Sequence, residues 1–261
     1  MNLAGPLSHF SEYGYARLGR VLSAEALQAL RARCDDFMMG RLSYPGLFFQ
    51  GDTESGRYDD LEFKKGFEGP SLNYRKIEKI EKDPLFLALI ENPFFERVVH
   101  SLIEGDIVIY RAVIFNKPAS GGTLLPWHQD AGVYWGLSKD PFLQIWVALD
   151  DAPIESGCVF VLPKSHLGGL ASPLGGLIQP SLILERGAEE HGVHLPAEAG
   201  EAMLIHNHLW HRSGTNTTGK ARRAVTVCYM SADVRCTRKK KRPRVFVPVF
   251  NKPVDPPLPH K

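Results

Sequence analysis

The sequence predicts a mainly β fold with flanking α-helices, of the double-stranded β-helix (jelly-roll, cupin-like) type. Helical patterns are confined to the first part of the chain, and segments rich in β-branched and aromatic residues follow them. Turns rich in glycine and proline separate these segments, which is typical of antiparallel β architectures. The predicted strands span residues 107–115, 143–150, 158–162, 202–206 and 225–230.

Three helices are predicted ahead of these strands, where they are expected to buttress one sheet. Ser23 is a suitable N-cap for a helix with apolar residues at helical spacing, and Gly40 is a stop signal. Asp83-Pro84 and Asn92-Pro93 each place a capping side chain before a proline, which favours a helix start. The helix that follows Asn92 is predicted to run to Gly105.

The most informative motif is Trp127-His128-Gln129-Asp130. Side chains two positions apart on an extended strand face the same side, so His128 and Asp130 can reach one metal ion while Gln129 points away. His211, just beyond the predicted strand 202–206, is the candidate third ligand. Two imidazoles and one carboxylate leave coordination positions open, which is typical of non-haem Fe(II) oxygenases rather than of closed structural zinc sites.

Arg222 lies eleven residues after His211, at the start of another strand-like run. Adjacent residues on a strand face opposite sides, so one of Arg222 and Arg223 is expected to face solvent. We expect Arg222 to be the inner residue, where its planar guanidinium can bind a carboxylate through two hydrogen bonds.

Length and composition indicate one enzyme-sized domain. The chain has 261 residues, of which 44% are hydrophobic, and this suits a single β-rich domain. We expect residues 1–106 to form a helical N-terminal portion, 107–234 the barrel core and 235–261 a tail. The four cysteines lie far apart without a Cys-x-x-Cys pair, so neither a disulfide framework nor a zinc knuckle is expected.

Nothing in the sequence indicates a membrane or a secretory protein. No apolar run approaches the roughly 20 residues that span a bilayer. The first residues lack the charged and apolar regions of a signal peptide. We therefore expect a cytoplasmic protein that has no membrane partner.

Two long segments are candidates for setting the substrate. Residues 40–69 have loop composition with aromatic anchors, and they can form a lid over the barrel mouth or simply pack onto the barrel. Residues 168–196 form an insertion between core strands. Neither segment specifies a ligand.

Basic residues cluster near the C-terminus, at positions 235–244. Formal net charge is only +2 and aromatic residues do not alternate with the basic ones, so we expect a solvated surface rather than a nucleic-acid site. Such a cluster can still attract an anionic substrate. The Pro-rich end that follows is expected to be extended.

Seven short blocks occur in a specific order along the chain. They are Phe10 to Tyr15 (F-x-x-x-G-Y), Val21-Leu22-Ser23, Asn116-Lys117-Pro118, Trp127 to Asp130, Ile154 to Cys158, Leu162 to His166 and His211 to Gly214. In this order and spacing the chain resembles the phytanoyl-CoA dioxygenase family of Fe(II)/2-oxoglutarate-dependent oxygenases. It departs from that family at Lys164, where glycine is common.

The resemblance implies roles for individual residues. His128, Asp130 and His211 match the ligands of Fe(II), whereas His206 and His208 do not. Four further positions match residues that bind or line the site of 2-oxoglutarate. They are Arg222 at the distal carboxylate, Trp146 in the pocket wall, Ser213 as a hydroxyl donor and Lys76 reaching in from outside the barrel.

The same resemblance implies a dioxygenase that consumes 2-oxoglutarate and O2 and releases succinate and CO2. Asp130 favours hydroxylation of an aliphatic C–H bond in a small molecule, or a desaturation-type variant of that reaction, since related halogenases have a small residue at that position. Two alternatives stay open: a catalytically silent barrel that acts as a ligand-binding or scaffold protein, and a redox-neutral zinc hydrolase or isomerase. The first gives no reason to keep Arg222 with the three ligands, and the second gives Arg222 and Trp146 no shared task. The substrate's identity and the oligomeric state stay open as well.

Overall fold

The computed structural model describes residues 2–62, 66–119, 121–239 and 244–250. Its helices are α1 (Ala4–Tyr13), α2 (Ala24–Met38), α3 (Pro84–Ile90), α4 (Pro93–His100), α5 (Pro180–Glu185) and α6 (Ala188–His191). Its strands are β1 (Tyr15–Arg20), β2 (Phe48–Gly51), β3 (Tyr74–Glu78), β4 (Ile107–Lys117), β5 (Leu125–Gln129), β6 (Leu143–Ala148), β7 (Val159–Val161), β8 (Gly176–Leu177), β9 (Val193–Leu195), β10 (Glu201–His206), β11 (His211–Ser213), β12 (Arg222–Ser231) and β13 (Val247–Val249).

These strands form two sheets. The larger has the order β1-β10-β6-β12-β4-β3-β2, with β13 also pairing to β4, and the smaller has the order β8-β5-β11-β7-β9. Side chains from both sheets line one cavity, so the sheets lie on either side of it. In the described residues the sheets do not close into a continuous barrel. The predicted mainly β, jelly-roll type of fold is confirmed.

Helices α2, α3 and α4 cover the face of the larger sheet that points away from the cavity. Their buried side chains, among them Phe37, Phe86 and Phe95, belong to the same apolar cluster as strand residues such as Ile114 and Val227. Burial of this apolar surface is the main stabilising term, at roughly 1.5–3 kcal/mol for each large side chain. The helices therefore buttress one sheet, as the sequence predicts.

The predicted caps of these helices are confirmed. Ser23 Oγ accepts a hydrogen bond from the backbone N–H of Ala26, and Asp83 and Asn92 cap α3 and α4 in the same way. The predicted end of α4 at Gly105 is wrong, because the helix stops at His100. The next side chain, Ser101, donates its hydroxyl to the carbonyl of Arg97, four residues earlier, and this bond competes with continuation of the helix.

The N-terminal portion 1–106 is not purely helical. It supplies three strands of the larger sheet, with β1 pairing to β10, β3 to β4 and β2 to β3. Segment 40–69 contains β2, whose Phe49 packs against Tyr74, while Gln50 from the same strand lines the cavity. The segment therefore both packs onto the sheet and contributes to the cavity wall.

The insertion 168–196 completes the smaller sheet. Its strands β8 and β9 pair with β5 and β7. Gly175 has a φ of 71°, and a Cβ built there would lie 1.7 Å from the carbonyl oxygen of Ala131, the residue after Asp130. Only glycine allows this approach, so the insertion packs directly against the segment that carries the predicted metal ligands.

Lys164 occupies a backbone position that favours glycine. Its φ is 66°, in the left-handed region, where a glycine would be free of the strain that a side chain brings. Its ammonium donates to Glu12 at 2.8 Å and lies 4.7 Å from the centre of the Tyr13 ring, and these surface contacts offset part of the strain.

The C-terminal tail is described only in part. Residues 240–243 of the basic cluster and the Pro-rich residues 251–261 lie outside the described residues. Arg244 stacks on Tyr110, with its guanidinium carbon 4.6 Å from the ring centre. All four cysteines are free thiols. Among the helices that the structure describes, none is long and apolar enough to cross a bilayer.

Candidate metal centre

The adjacent strands β5 and β11 bring the three predicted metal ligands together. His128 lies directly opposite His211 in the antiparallel pair, with the ring centres 4.0 Å apart, and Asp130 follows one residue after the end of β5. His128 Nε2 lies 4.0 Å from Asp130 Oδ1, and His211 Nε2 lies 3.7 Å from Asp130 Oδ2. One ligand atom from each residue lies within 4.8 Å of the others, and no other such group of three occurs in the part of the chain that the structure describes.

Backbone carbonyls orient both imidazoles. His128 Nδ1 donates to the carbonyl of Pro126 and His211 Nδ1 to that of Leu209, each at 2.9 Å. Since a carbonyl can only accept, each Nδ1 carries the proton and each Nε2 presents a lone pair towards Asp130. Burial, with His211 close by, lowers the pKa of His128 to about 3, so this ring is neutral and ready to act as a ligand.

Asp130 is held by two side chains from the larger sheet. Arg111 Nη2 and Gln144 Nε2 both lie 3.0 Å from its Oδ2. Burial opposes ionisation here, but the charge of Arg111, helped by the hydrogen bond from Gln144, outweighs it and keeps the pKa of Asp130 well below its usual range. The carboxylate is therefore charged and fixed in orientation.

The triad opens onto a cavity between the two sheets, with a volume of about 1100 Å³ that includes its open mouth. All seven residues singled out from the sequence line this cavity. They are His128, Asp130, His211, Arg222, Trp146, Ser213 and Lys76.

Arg222 faces the cavity and is 3% exposed. Its Nη2 donates to the carbonyl of Gly157 at 2.8 Å, while its Nε has no partner among the described residues. Burial lowers the pKa of Arg222 to about 10, and the side chain stays charged at neutral pH. The neighbouring Arg223 points the other way, but it is not solvated as expected, because it binds Asp150 and Asp35 beneath α2.

The other three predicted residues differ in their surroundings. Trp146 on β6 and Ser213 on β11 are buried in the cavity wall. Lys76 on β3 forms an ion pair with Glu78, two residues along the same strand, and lies over the ring of Phe48 at 5.7 Å. Burial lowers the pKa of Lys76, although Glu78 opposes this shift.

Sequence reasoning missed several cavity residues. Arg111 and Gln144 lie within predicted strands, and the strand pattern assigns them no role in the site, although a single charge in the apolar run of β4 is a usable signal. Arg75 and Lys117 also line the cavity. In the sequence, Lys117 stands out only as part of the block Asn116-Lys117-Pro118.

The residues present fit a divalent transition metal with an anionic co-ligand. Two imidazoles and one carboxylate form a suitable donor set, and the unpartnered Nε of Arg222 is available to a carboxylate in the same cavity.

Solved structures share this fold. The epimerase SnoN of nogalamycin biosynthesis, determined with Fe3+, alpha ketoglutarate and nogalamycin RO, matches with a TM-score of 0.70 at 18% identity, over 94% of each chain. EctD from S. alaskensis, determined with 2-oxoglutarate and 5-hydroxyectoine, matches with a TM-score of 0.70 at 20% identity, over 93% of this chain and 81% of that one.

Proteins related in sequence identify the family. Mouse phytanoyl-CoA dioxygenase domain-containing protein 1 is 31% identical over 261 residues, which cover 87% of this chain and 89% of that protein. The peroxisomal phytanoyl-CoA dioxygenase of mouse is 22% identical, over 87% of this chain and 68% of that protein. The family model described as phytanoyl-CoA dioxygenase (PhyH) matches residues 10–224, from within α1 to the first residues of β12. The chain therefore belongs to the phytanoyl-CoA dioxygenase family.

Proposed function

We propose that this protein is an Fe(II)- and 2-oxoglutarate-dependent dioxygenase that hydroxylates an aliphatic C–H bond of a small molecule. The products from the cosubstrates are succinate and CO2. The observation that carries the proposal is the placement of a buried, charged Arg222 without a carboxylate partner in the same cavity as the group His128, Asp130 and His211.

In this proposal the two imidazoles and Asp130 hold the iron from one side. When bound, iron and 2-oxoglutarate together supply the activation of O2 for C–H oxidation. Arg111 and Gln144 fix Asp130 through its Oδ2, and among the described residues Oδ1 accepts no such hydrogen bond and would be free to bind the metal.

Arg222 orients the cosubstrate by binding its distal carboxylate, and Ser213 and Trp146 form the adjacent wall. Placing a carboxylate against a guanidinium that is 3% exposed excludes water from the ion pair and strengthens it. Lys76 is a weaker candidate for the same cosubstrate, because Glu78 already neutralises its charge.

The two alternatives fit the cavity less well. A ligand-binding or scaffold barrel has no need to combine a buried arginine that lacks a counterion with the three metal ligands, since such a charge destabilises the fold. A redox-neutral zinc enzyme gives Arg222 and Trp146 no shared task. The cytoplasmic location stays a prediction, and the family includes a relative named as peroxisomal.

The test is an anaerobic titration with Fe(II) and then with 2-oxoglutarate, followed by the visible charge-transfer band of the complex. We expect the wild type to develop the band and Asp130→Ala to lose it through failed iron binding. Arg222→Met is expected to bind 2-oxoglutarate roughly 100-fold more weakly, or ~3 kcal/mol, because a buried charged hydrogen-bonding partner is removed.

Arg186→Met is the matched control, since Arg186 is an exposed arginine outside this cavity. A wild-type protein that binds no iron, or binds it without responding to 2-oxoglutarate, contradicts the proposal. Turnover supported by zinc instead of iron would favour the redox-neutral alternative.

A further inference from the structure

The cavity carries more positive charge than the proposed cosubstrate uses. Six basic side chains line it, and only two acidic ones do. The basic residues are Arg75, Lys76, Arg111, Lys117, Arg212 and Arg222, and the acidic ones are Asp52 and Asp130.

Three of the six basic residues are neutralised within the chain. Ion pairs join Lys76 to Glu78, Arg111 to Asp130 and Arg212 to Glu189. These three need no ligand to balance their charge.

The other three basic residues bind only neutral oxygens. Arg222 donates to the carbonyl of Gly157 at 2.8 Å, Lys117 to the carbonyl of Thr123 at 2.7 Å, and Arg75 to the side-chain oxygen of Gln50 at 2.8 Å. Across the described residues, none of the three has a carboxylate oxygen within the 4.0 Å of an ion pair. Buried cations without a counterion destabilise a fold, so a ligand anion is the natural compensation.

Strand pairing places Lys117 beside Arg222. The two residues are direct partners across β4 and β12, and like charges in that position repel each other. Lys117 is 6% exposed, and burial together with Arg222 and Arg75 lowers its pKa to about 7. An anion bound beside Lys117 would relieve both the repulsion and the cost of burial.

Arg75 reaches the cavity through an irregularity in β3. Gln50 of β2 pairs with Lys76 and the next residue, Gly51, pairs with Tyr74, so Arg75 has no partner on that strand. Such a β-bulge turns a side chain away from strict alternation, and bulges are frequent beside active sites. The bulge therefore allows both Arg75 and Lys76 to line the cavity.

Asp52 fixes the loop next to these residues. Its carboxylate accepts hydrogen bonds from the backbone N–H and the hydroxyl of Thr123, whose carbonyl binds Lys117. With Asp52 counted, Arg75 and Lys117 leave one net positive charge. A single carboxylate balances that charge, whereas a phosphate dianion exceeds it.

We propose that Arg75 and Lys117 form a second anion subsite, which holds a carboxylate group of the molecule that is oxidised. The primary substrate is then an organic carboxylate rather than a neutral compound. This inference rests on the proposed function in one respect, because it assigns Arg222 to the cosubstrate.

The test measures binding of three probes with the same alkyl chain to the anaerobic protein loaded with Fe(II) and 2-oxoglutarate, by calorimetry. The probes are hexanoate, hexanamide and hexyl phosphate. We expect hexanoate to bind at least tenfold more tightly than hexanamide and more tightly than hexyl phosphate. Equal binding of hexanoate and hexanamide overturns the proposal, and tighter binding of hexyl phosphate overturns the choice of a carboxylate.

Variants then locate the subsite. Lys117→Met and Arg75→Met are each expected to weaken hexanoate binding at least tenfold and to change the affinity for 2-oxoglutarate less than threefold. Lys164→Met is the control for net charge, since Lys164 is a surface residue paired with Glu12, and it should change neither affinity. If Lys117→Met weakens 2-oxoglutarate as strongly as Arg222→Met does, Lys117 belongs to the cosubstrate site and the proposal is wrong.

Two further measurements distinguish lost binding from lost folding, and failure of the subsite from failure of the proposed function. Thermal unfolding of Lys117→Met should occur at the same or a higher temperature than that of the wild type, so lost binding is not lost folding. Hexanoate is also titrated into metal-free Arg222→Met protein, with and without Lys117→Met. If Lys117→Met weakens hexanoate binding to this metal-free protein, the subsite is supported even when iron and 2-oxoglutarate fail to bind. If Lys117→Met leaves hexanoate binding unchanged, the subsite is contradicted and the proposed dioxygenase function is not affected.

Discussion

The two faces of the larger sheet differ in whether their arginine and lysine side chains have carboxylate partners. On the face under the helices, Arg223 binds Asp150 and Asp35, and Arg33 of α2 binds the buried Asp83 that caps α3. On the cavity face, the neighbouring Arg222 and its cross-strand partner Lys117 bind only carbonyl oxygens. Two adjacent residues of β12 are therefore one arginine that is paired with carboxylates and one that is not.

This difference in ion pairing suggests that one face of the sheet stabilises the fold and the other binds ligands. The helix-covered face needs only to hold the fold, and the chain supplies a carboxylate for both Arg223 and Arg33. The cavity face pairs Arg111 with Asp130 but leaves Arg222 and Lys117 without carboxylates, which destabilises the empty protein and favours a protein with anions bound. The two adjacent arginines are therefore expected to respond differently to the same substitution.

The largest expected effect on stability comes from Arg223→Met. Arg223 and Asp150 have side chains that are 15% and 16% exposed. Removal of Arg223 takes the partner from Asp35 and leaves Asp150 with Arg31 alone. We expect the free energy of unfolding to fall by roughly 3 kcal/mol, as in other broken buried pairs. Arg222→Met is expected not to lower it, since no carboxylate loses a partner. Urea denaturation of the two metal-free variants measures both effects, and equal losses would contradict the comparison.

A smaller effect of opposite sign is expected from Lys117→Met. The pKa of Lys117 is about 7 in the fold, below its ordinary value of 10.5. Below pH 7 the amine is protonated in both the folded and the unfolded chain, so the penalty of burying it is fully present. Above pH 7 the folded chain releases the proton first, and the penalty shrinks as the pH rises towards 10.5.

Lys117→Met should therefore be more stable than the wild type by roughly 2 kcal/mol at pH 6, and by less at pH 9. The charged groups that face Lys117 are Arg222 on β12, Arg75 on β3 and Asp52 after β2. Denaturation of both proteins at the two pH values measures the difference. A difference that does not change with pH would show that Lys117 keeps its proton in the folded protein over this range, so that burial does not lower its pKa as expected.

Local sequence signals predict the metal ligands and the starts of three helices. The spacing of His128 and Asp130 on an extended segment places both side chains on one side, and the capping signals at Ser23, Asp83 and Asn92 mark helix starts. Each of these features depends on residues within one turn or one strand. For that reason the sequence alone predicts them.

Features that depend on distant pairing were missed. Strand β3 has the sequence Tyr-Arg-Lys-Ile-Glu, and it is a strand because it pairs with β2 and β4 on either side. The bulge at Arg75 exists only in the register of β2 against β3. The role of Arg111 becomes visible only when β4 and the end of β5 are brought together, with Asp130 as its partner.

The smallest predicted effect tests whether the helix-covered face is energetically separate from the cavity. Asn92 accepts a hydrogen bond from the backbone N–H of Phe94 and caps α4. Asn92→Ala is expected to lower the free energy of unfolding by about 1 kcal/mol, whereas Asn92→Asp keeps the cap and is the matched control. Both variants should bind 2-oxoglutarate and hexanoate as the wild type does, because α4 contributes no side chain to the cavity. A change in either affinity would mean that the packing of α4 on the sheet also positions the cavity residues.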